Sequence, residues 1–180
     1  MRFTVCILIL TAIIFAADPM PGPQYNASGE MIRPEGYREW IFVGSNLGMG
    51  YTEEPKKVQF YHNIYVQREA FHHYRLTGEF PDKTILIMEK VTPGSKESIN
   101  RNGTFGDKFA GIEAAVKDES RFKEKWAYYL FFDREMKPLP SAKAERPGSC
   151  WACHNANGAV DNVFVQFYPV LRELRPIAKK

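Results

Sequence analysis

Cys150, Cys153 and His154 lie in the run Cys150-Trp151-Ala152-Cys153-His154, a C-x-x-C-H spacing whose residue types suit one kind of chemistry. Two thiols three residues apart can add to the two vinyl groups of a single porphyrin, and the imidazole that follows is then held against the ring to ligate iron. This is the attachment signature of a c-type haem, so the expected cofactor is covalently bound haem c with iron on His154. Such a chain handles electrons or small gaseous ligands. Two other readings of the thiols remain open on spacing. A thioredoxin-like dithiol would open a helix within a βαβ pattern, which the sequence lacks. A closed zinc site needs two further ligands, and His62, His72 and His73 come with no second C-x-x-C or H-x3-5-H.

Haem is attached in this way outside the bacterial cytoplasm, so an export signal is expected. Arg2 begins the chain with a positive charge, residues 5–15 are almost wholly apolar, and Ala16-Ala17 offer small residues for cleavage. Residues 1–17 therefore read as a secretory signal peptide, and the mature protein as periplasmic or otherwise exported. The apolar run falls short of the roughly 20 residues that span a bilayer, although an uncleaved tether is the alternative. Cys6 would leave with the signal, so the mature chain keeps two cysteines, too few for a disulfide framework.

The elements that must position the motif follow from periodicity. Residues 18–36 are rich in Pro, Gly and polar side chains and read as an extended lead-in; residues 37–180 are enough for a single domain with a core and a cofactor. Residues 39–43 read as a strand ended by the turn formers of 44–50. Residues 57–67, 84–92 and 125–133 are β-branched or aromatic strands, and 106–117 alternates loosely. On the 84–92 strand Leu86, Met88 and Lys90 share one face, and Ile85, Ile87 and Glu89 share the other. Residues 68–76 read as a helix stopped by Thr77-Gly78, and 162–174 as a closing helix that contains Pro169. Strands that follow one another with one helix between them give an α+β fold, mainly an antiparallel sheet with a few packing helices. The formal charge of +3 is scattered, which gives no nucleic-acid surface.

Words around the motif carry a family likeness. Tyr37-Arg38-Glu39-Trp40 with Val43-Gly44 is followed by Asn63-Ile64-Tyr65-Val66, then by Thr77-Gly78-Glu79-Phe80 with Asp82. Gly111-Ile112-Glu113-Ala114 with Val116-Lys117-Asp118 precedes Trp126-Ala127-Tyr128-Tyr129, and Phe167-Tyr168-Pro169-Val170-Leu171 comes after the motif. In this order the chain, from about Tyr37 to Leu174, resembles the cytochrome P-460 and cytochrome c′-beta family. The resemblance implies a sheet-dominated homodimer with one haem c, a proximal histidine and an exchangeable distal face. It also implies one of two activities: hydroxylamine oxidation, with a lysine joined covalently to the porphyrin edge, or nitric oxide binding in an apolar, often Phe-lined pocket without that bond. An electron-transfer cytochrome would be a natural partner.

In the cross-linking branch lysine stands just before the glutamate of this strand; here Met88 precedes Glu89. Lys90 is two positions on, roughly 6–7 Å along the strand, so the reading favours nitric oxide binding without a cross-link, with hydroxylamine oxidation as the alternative. Met88 is open to three roles: packing at the haem edge, iron ligation in a His/Met electron carrier, or another contact with the porphyrin. Glu89, Glu113 and Glu145 are the candidate catalytic carboxylates for a reaction that sheds protons. Phe60, Phe80, Phe105, Phe109, Phe131 and Phe132 are candidates for an apolar distal wall.

Overall fold

The computed structural model describes residues 20–51, 53–54 and 59–174; the expected signal peptide, residues 1–17, lies outside them. Five strands form one antiparallel meander in the order β2-β3-β4-β5-β6: β2 Ile41–Leu47, β3 Tyr61–Val66, β4 Ile85–Gly94, β5 Phe105–Lys117 and β6 Trp126–Leu130. A two-stranded sheet pairs β1 (Met31–Ile32) with β7 (Ser141–Ala142). Helices α1 (Arg68–Thr77), α2 (Cys150–Asn157) and α3 (Pro169–Arg172) complete the α+β architecture. Among the described residues no helix is long and apolar enough to cross a membrane.

Period-two alternation divides the core between the faces of the sheet. Ile64, Val66, Leu86, Trp126 and Tyr128 turn to one side, where α1 and the segment after α2 cover them with Ala70, Tyr74, Val163, Val165 and Leu171. Ile85, Ile87, Ile112, Ala114, Ala127, Tyr129 and Phe131 turn to the other, where they meet Met31 and Ala142 of the small sheet. We call these the front and back faces. Helix α1 ends as the sequence predicts: Gly78 has φ 79° and its N–H donates to the Tyr74 carbonyl at 2.7 Å.

Three expectations need correction. Strand β2 does not stop at Gly44 but runs to Leu47, because Ser45 Oγ donates to Asn63 Oδ1 at 2.8 Å and Asn46 Oδ1 bonds His62 Nδ1 at 2.9 Å. These polar turn formers are satisfied across the ladder instead of in a loop. The lead-in is also more than a loose extension. Buried Gln67 donates to the Pro21 carbonyl and accepts from Ile85 N–H at 2.7 Å, and Met31 is fully buried. Finally, residues 162–174 form no continuous helix. A 3-10 turn at Val165–Phe167 is followed by the short α3, which Pro169 opens instead of interrupting.

Candidate functional site

The motif folds as the eight-residue helix α2, which places Cys150, Cys153 and His154 at i, i+3 and i+4, on one side of the helix. All three line a cavity of about 560 Å³ between α2 and the front face of the sheet, within the size range of cofactor pockets. The helix is held at its start by Ser149 Oγ donating to the Arg146 carbonyl at 2.8 Å. At its side, Trp151 Nε1 donates to the Glu124 carbonyl at 3.2 Å.

The imidazole of His154 is sandwiched between the rings of Tyr128 and Phe164, each centroid 4.3 Å away. Its Nδ1 lies 2.9 Å from the Asn162 carbonyl oxygen. A carbonyl can only accept, so Nδ1 carries the hydrogen and Nε2 keeps its lone pair. Burial holds the His154 pKa below its ordinary value, against the opposing pull of the Asn162 carbonyl and the Glu113 charge. A neutral imidazole with a free Nε2 lone pair and a fixed second nitrogen is what a metal ligand requires.

Strand register ranks the cavity floor in rows that recede from His154. Leu86, Ala115 and Tyr128 are paired neighbours and make the row against which the imidazole rests; Ile64, Met88, Glu113 and Leu130 make the next; His62, Lys90 and Gly111 make the third. Successive rows are two residues, or roughly 6–7 Å, apart. Lys90 Nζ forms an ion pair with the Glu113 carboxylate and lies 4.6 Å from the centroid of the Phe132 ring. Gly111 makes room for that ring: its φ is 121°, and a Cβ there would fall 2.8 Å from Phe132 Cδ1.

Of the candidate site residues, Cys150, Cys153, His154, Met88, Lys90 and Glu113 are brought together around this cavity. Glu89 is not, and that candidate is corrected. It points to the back face, 3% exposed, where Tyr37 Oη and Arg38 Nε each donate to its Oε1 at 2.7 Å. Glu145 is also absent from the lining; its backbone N–H donates to the Tyr128 carbonyl at 2.8 Å, and its charge helps raise the Cys150 pKa. Of the six phenylalanines only Phe60 lines the cavity. Phe80 stacks on Tyr74 and Phe131 is in the back core. Phe105 and Phe109 are exposed, and Phe132 packs on Lys90. The aromatic walls are instead Tyr51, Tyr128, Phe164 and Tyr168, drawn from distant parts of the chain, so no local pattern marks them. His62, which the sequence offers as a core histidine or a proton shuttle, also lines the cavity, on the face of β3 that it shares with Ile64 and Val66.

The competing uses of the thiols fit less well. Burial is the main cause that pushes the Cys150 thiol up, the reverse of an activated dithiol, and no disulfide joins the pair. Among the described residues no group of three or more His, Cys, Asp and Glu side chains is arranged to hold a metal ion. Two thiols and one Nε2 facing a mostly apolar cavity suit a flat, apolar ring with a metal at its centre.

Comparison with known proteins agrees. A search of curated proteins found no match, but the family model for cytochrome P-460 matches residues 34–165. That span takes in the whole meander, α2 and the carbonyl that fixes His154, so the chain belongs to the cytochrome P-460 family and is a haem-binding cytochrome.

Proposed function

We propose that the protein is an exported monohaem c-type cytochrome that binds nitric oxide at an open axial position, with no lysine bonded to the porphyrin. Cys150 and Cys153 would hold the haem through two thioethers and His154 Nε2 would bind its iron. The haem supplies a redox-active metal with one exchangeable coordination site. The protein's own part is to fix the imidazole between Tyr128 and Phe164, to line the cavity with hydrocarbon, and to keep charge in pairs.

One observation carries the preference for nitric oxide. Among the described lining residues Lys90 is the one lysine, and Glu113 and the Phe132 ring engage it, while methionine occupies position 88. A mostly apolar wall admits a small neutral ligand readily and disfavours an unpaired ion, because burying charge without a partner is costly. Absorption spectra of the mature protein test this. An open-site ferrous spectrum that converts on addition of nitric oxide supports the reading, whereas a strongly red-shifted band means a cross-linked porphyrin. A colourless polypeptide defeats the haem assignment.

A second reading, hydroxylamine oxidation, is favoured by the polar groups of the second and third rows. Glu113 and His62 are proton acceptors on the cavity floor, and a reaction that releases protons needs such a base. Replacing Glu113 by Gln would then lower hydroxylamine-dependent reduction of an electron acceptor by about 10²–10⁴-fold, the usual contribution of a general base. Wild-type protein with no such activity rules this reading out.

A further inference from the structure

The residues just after α2 make a turn of an unusual kind. Val160 and Val163 exchange both backbone hydrogen bonds, at 3.3 and 2.7 Å, and enclose Asp161 and Asn162 at φ 46° and 62°. Two consecutive left-handed residues between paired neighbours form a primed two-residue turn, for which Asp and Asn are suited. The turn has two outputs. The Asn162 carbonyl accepts from His154 Nδ1 at 2.9 Å and, at 3.4 Å, from Tyr128 Oη. The Asp161 carboxylate accepts from Lys117 Nζ at 2.7 Å and from Trp126 Nε1 at 3.1 Å.

Both clamps belong to the sheet. Lys117 and Trp126 are paired across β5 and β6, one row before Tyr128. The Lys117 side chain is only 10% exposed and also donates to the Phe80 carbonyl at 2.7 Å. A rigid floor therefore fixes a carboxylate one peptide unit from the carbonyl that holds the imidazole. A turn alone would need no ion pair, and a largely buried pair adds little to stability when compared with apolar residues of the same shape. Its position suggests a different use: an anion beside the acceptor strengthens the Nδ1–H hydrogen bond, and a more strongly bonded imidazole is a more basic ligand.

We propose that Asp161 is a positioning residue for the proximal ligand: held by Lys117 and Trp126, it acts through the Asn162 carbonyl to set the donor strength of His154 and hence the reduction potential of the iron. The proposal rests on the haem assignment above and adds the group that tunes it.

The test uses the mature holoprotein and two readouts, the Fe(III)/Fe(II) potential from a spectroelectrochemical titration and the iron–histidine stretching band of the ferrous protein. Asp161→Asn keeps the turn and the Trp126 acceptor but removes the charge. It should favour the reduced state by about tenfold at fixed poise, or 59 mV for one electron, and lower the stretching frequency. Asp161→Glu should restore most of both. Lys117→Met leaves the anion uncompensated and should shift the potential the opposite way.

Shifts of the same sign in Asp161→Asn and Lys117→Met would mean mere loosening and would overturn the proposal, as would unchanged potentials in coloured, folded variants. If Asp161→Asn fails to accumulate, Asp161→Glu and Lys117→Met decide: wild-type values in both overturn it. A colourless wild-type protein instead removes the haem assignment on which the proposal rests.

Discussion

Glu89 and Lys90 are neighbours on β4 and both are ion-paired, yet they belong to different chemistry. On the back face Glu89 is nearly sealed, with Tyr37, Arg38 and Asn63 all donating to its carboxylate. On the front face Lys90 and Glu113 are only partly covered, 16% and 27% exposed, and border the cavity. The back pair completes a packed wall, with both carboxylate oxygens of Glu89 engaged by protein donors. The front pair matches its two charges at the border of the cavity. A single strand therefore separates support from reactivity by the alternation of its side chains, and a one-residue slip of β4 would exchange the two.

Substitutions on the two sides should separate accordingly. Phe131→Ala in the back core should cost about 3–5 kcal/mol, measured by denaturant unfolding, with the haem spectrum unchanged; an altered spectrum would mean that the faces are coupled. Glu89→Ala leaves the Tyr37 and Arg38 donors without their acceptor and should cost about 1–3 kcal/mol, again with no change in ligand affinity.

Acid should loosen the edge that ties the lead-in to the sheet, through Asp118, which accepts from Tyr25 Oη at 3.3 Å. Burial alone would raise the Asp118 carboxyl, but hydrogen bonds from Lys83 and Ser120 reverse this and hold it below its ordinary 3.8. A depressed value in the folded state means that the stabilisation is complete above the unfolded pKa and is lost as pH falls through the folded one. Asp118→Asn should therefore lower a stability–pH curve by a constant amount at neutral and alkaline pH and flatten its acid side, where the wild type loses the same contribution. The smallest effect belongs to the front face: Met88→Leu should cost less than about 1.5 kcal/mol and leave an open-site spectrum in place. A new coordination state in that variant would make Met88 an iron ligand.

Much of this division can be read in the sequence. The strands and α1 follow from period and stop signals, and the alternation on β4 already puts Glu89 opposite Met88 and Lys90. Glu89 as a cavity carboxylate therefore conflicts with that pattern, and in the structure alternation prevails. What was not legible depends on long-range partners. Ser45 and Asn46 look like turn residues until Asn63 and His62 are placed beside them. Tyr128 and Phe164 flank His154 from a strand and a loop 36 residues apart in number. The Asp161-Asn162 turn was hidden because its left-handed backbone is set by bonds to Lys117, Trp126 and His154, not by glycine.

The meander has a bearing on how the molecule is made. Every strand of the large sheet pairs with its neighbour in sequence, which keeps the pairings local and limits the entropic cost of closing each connection. Helix α2 comes after all five strands. If haem is attached as proposed, the receiving wall would thus assemble while Cys150 and Cys153 are still on an undocked tail, and seating that tail would be the final act of maturation.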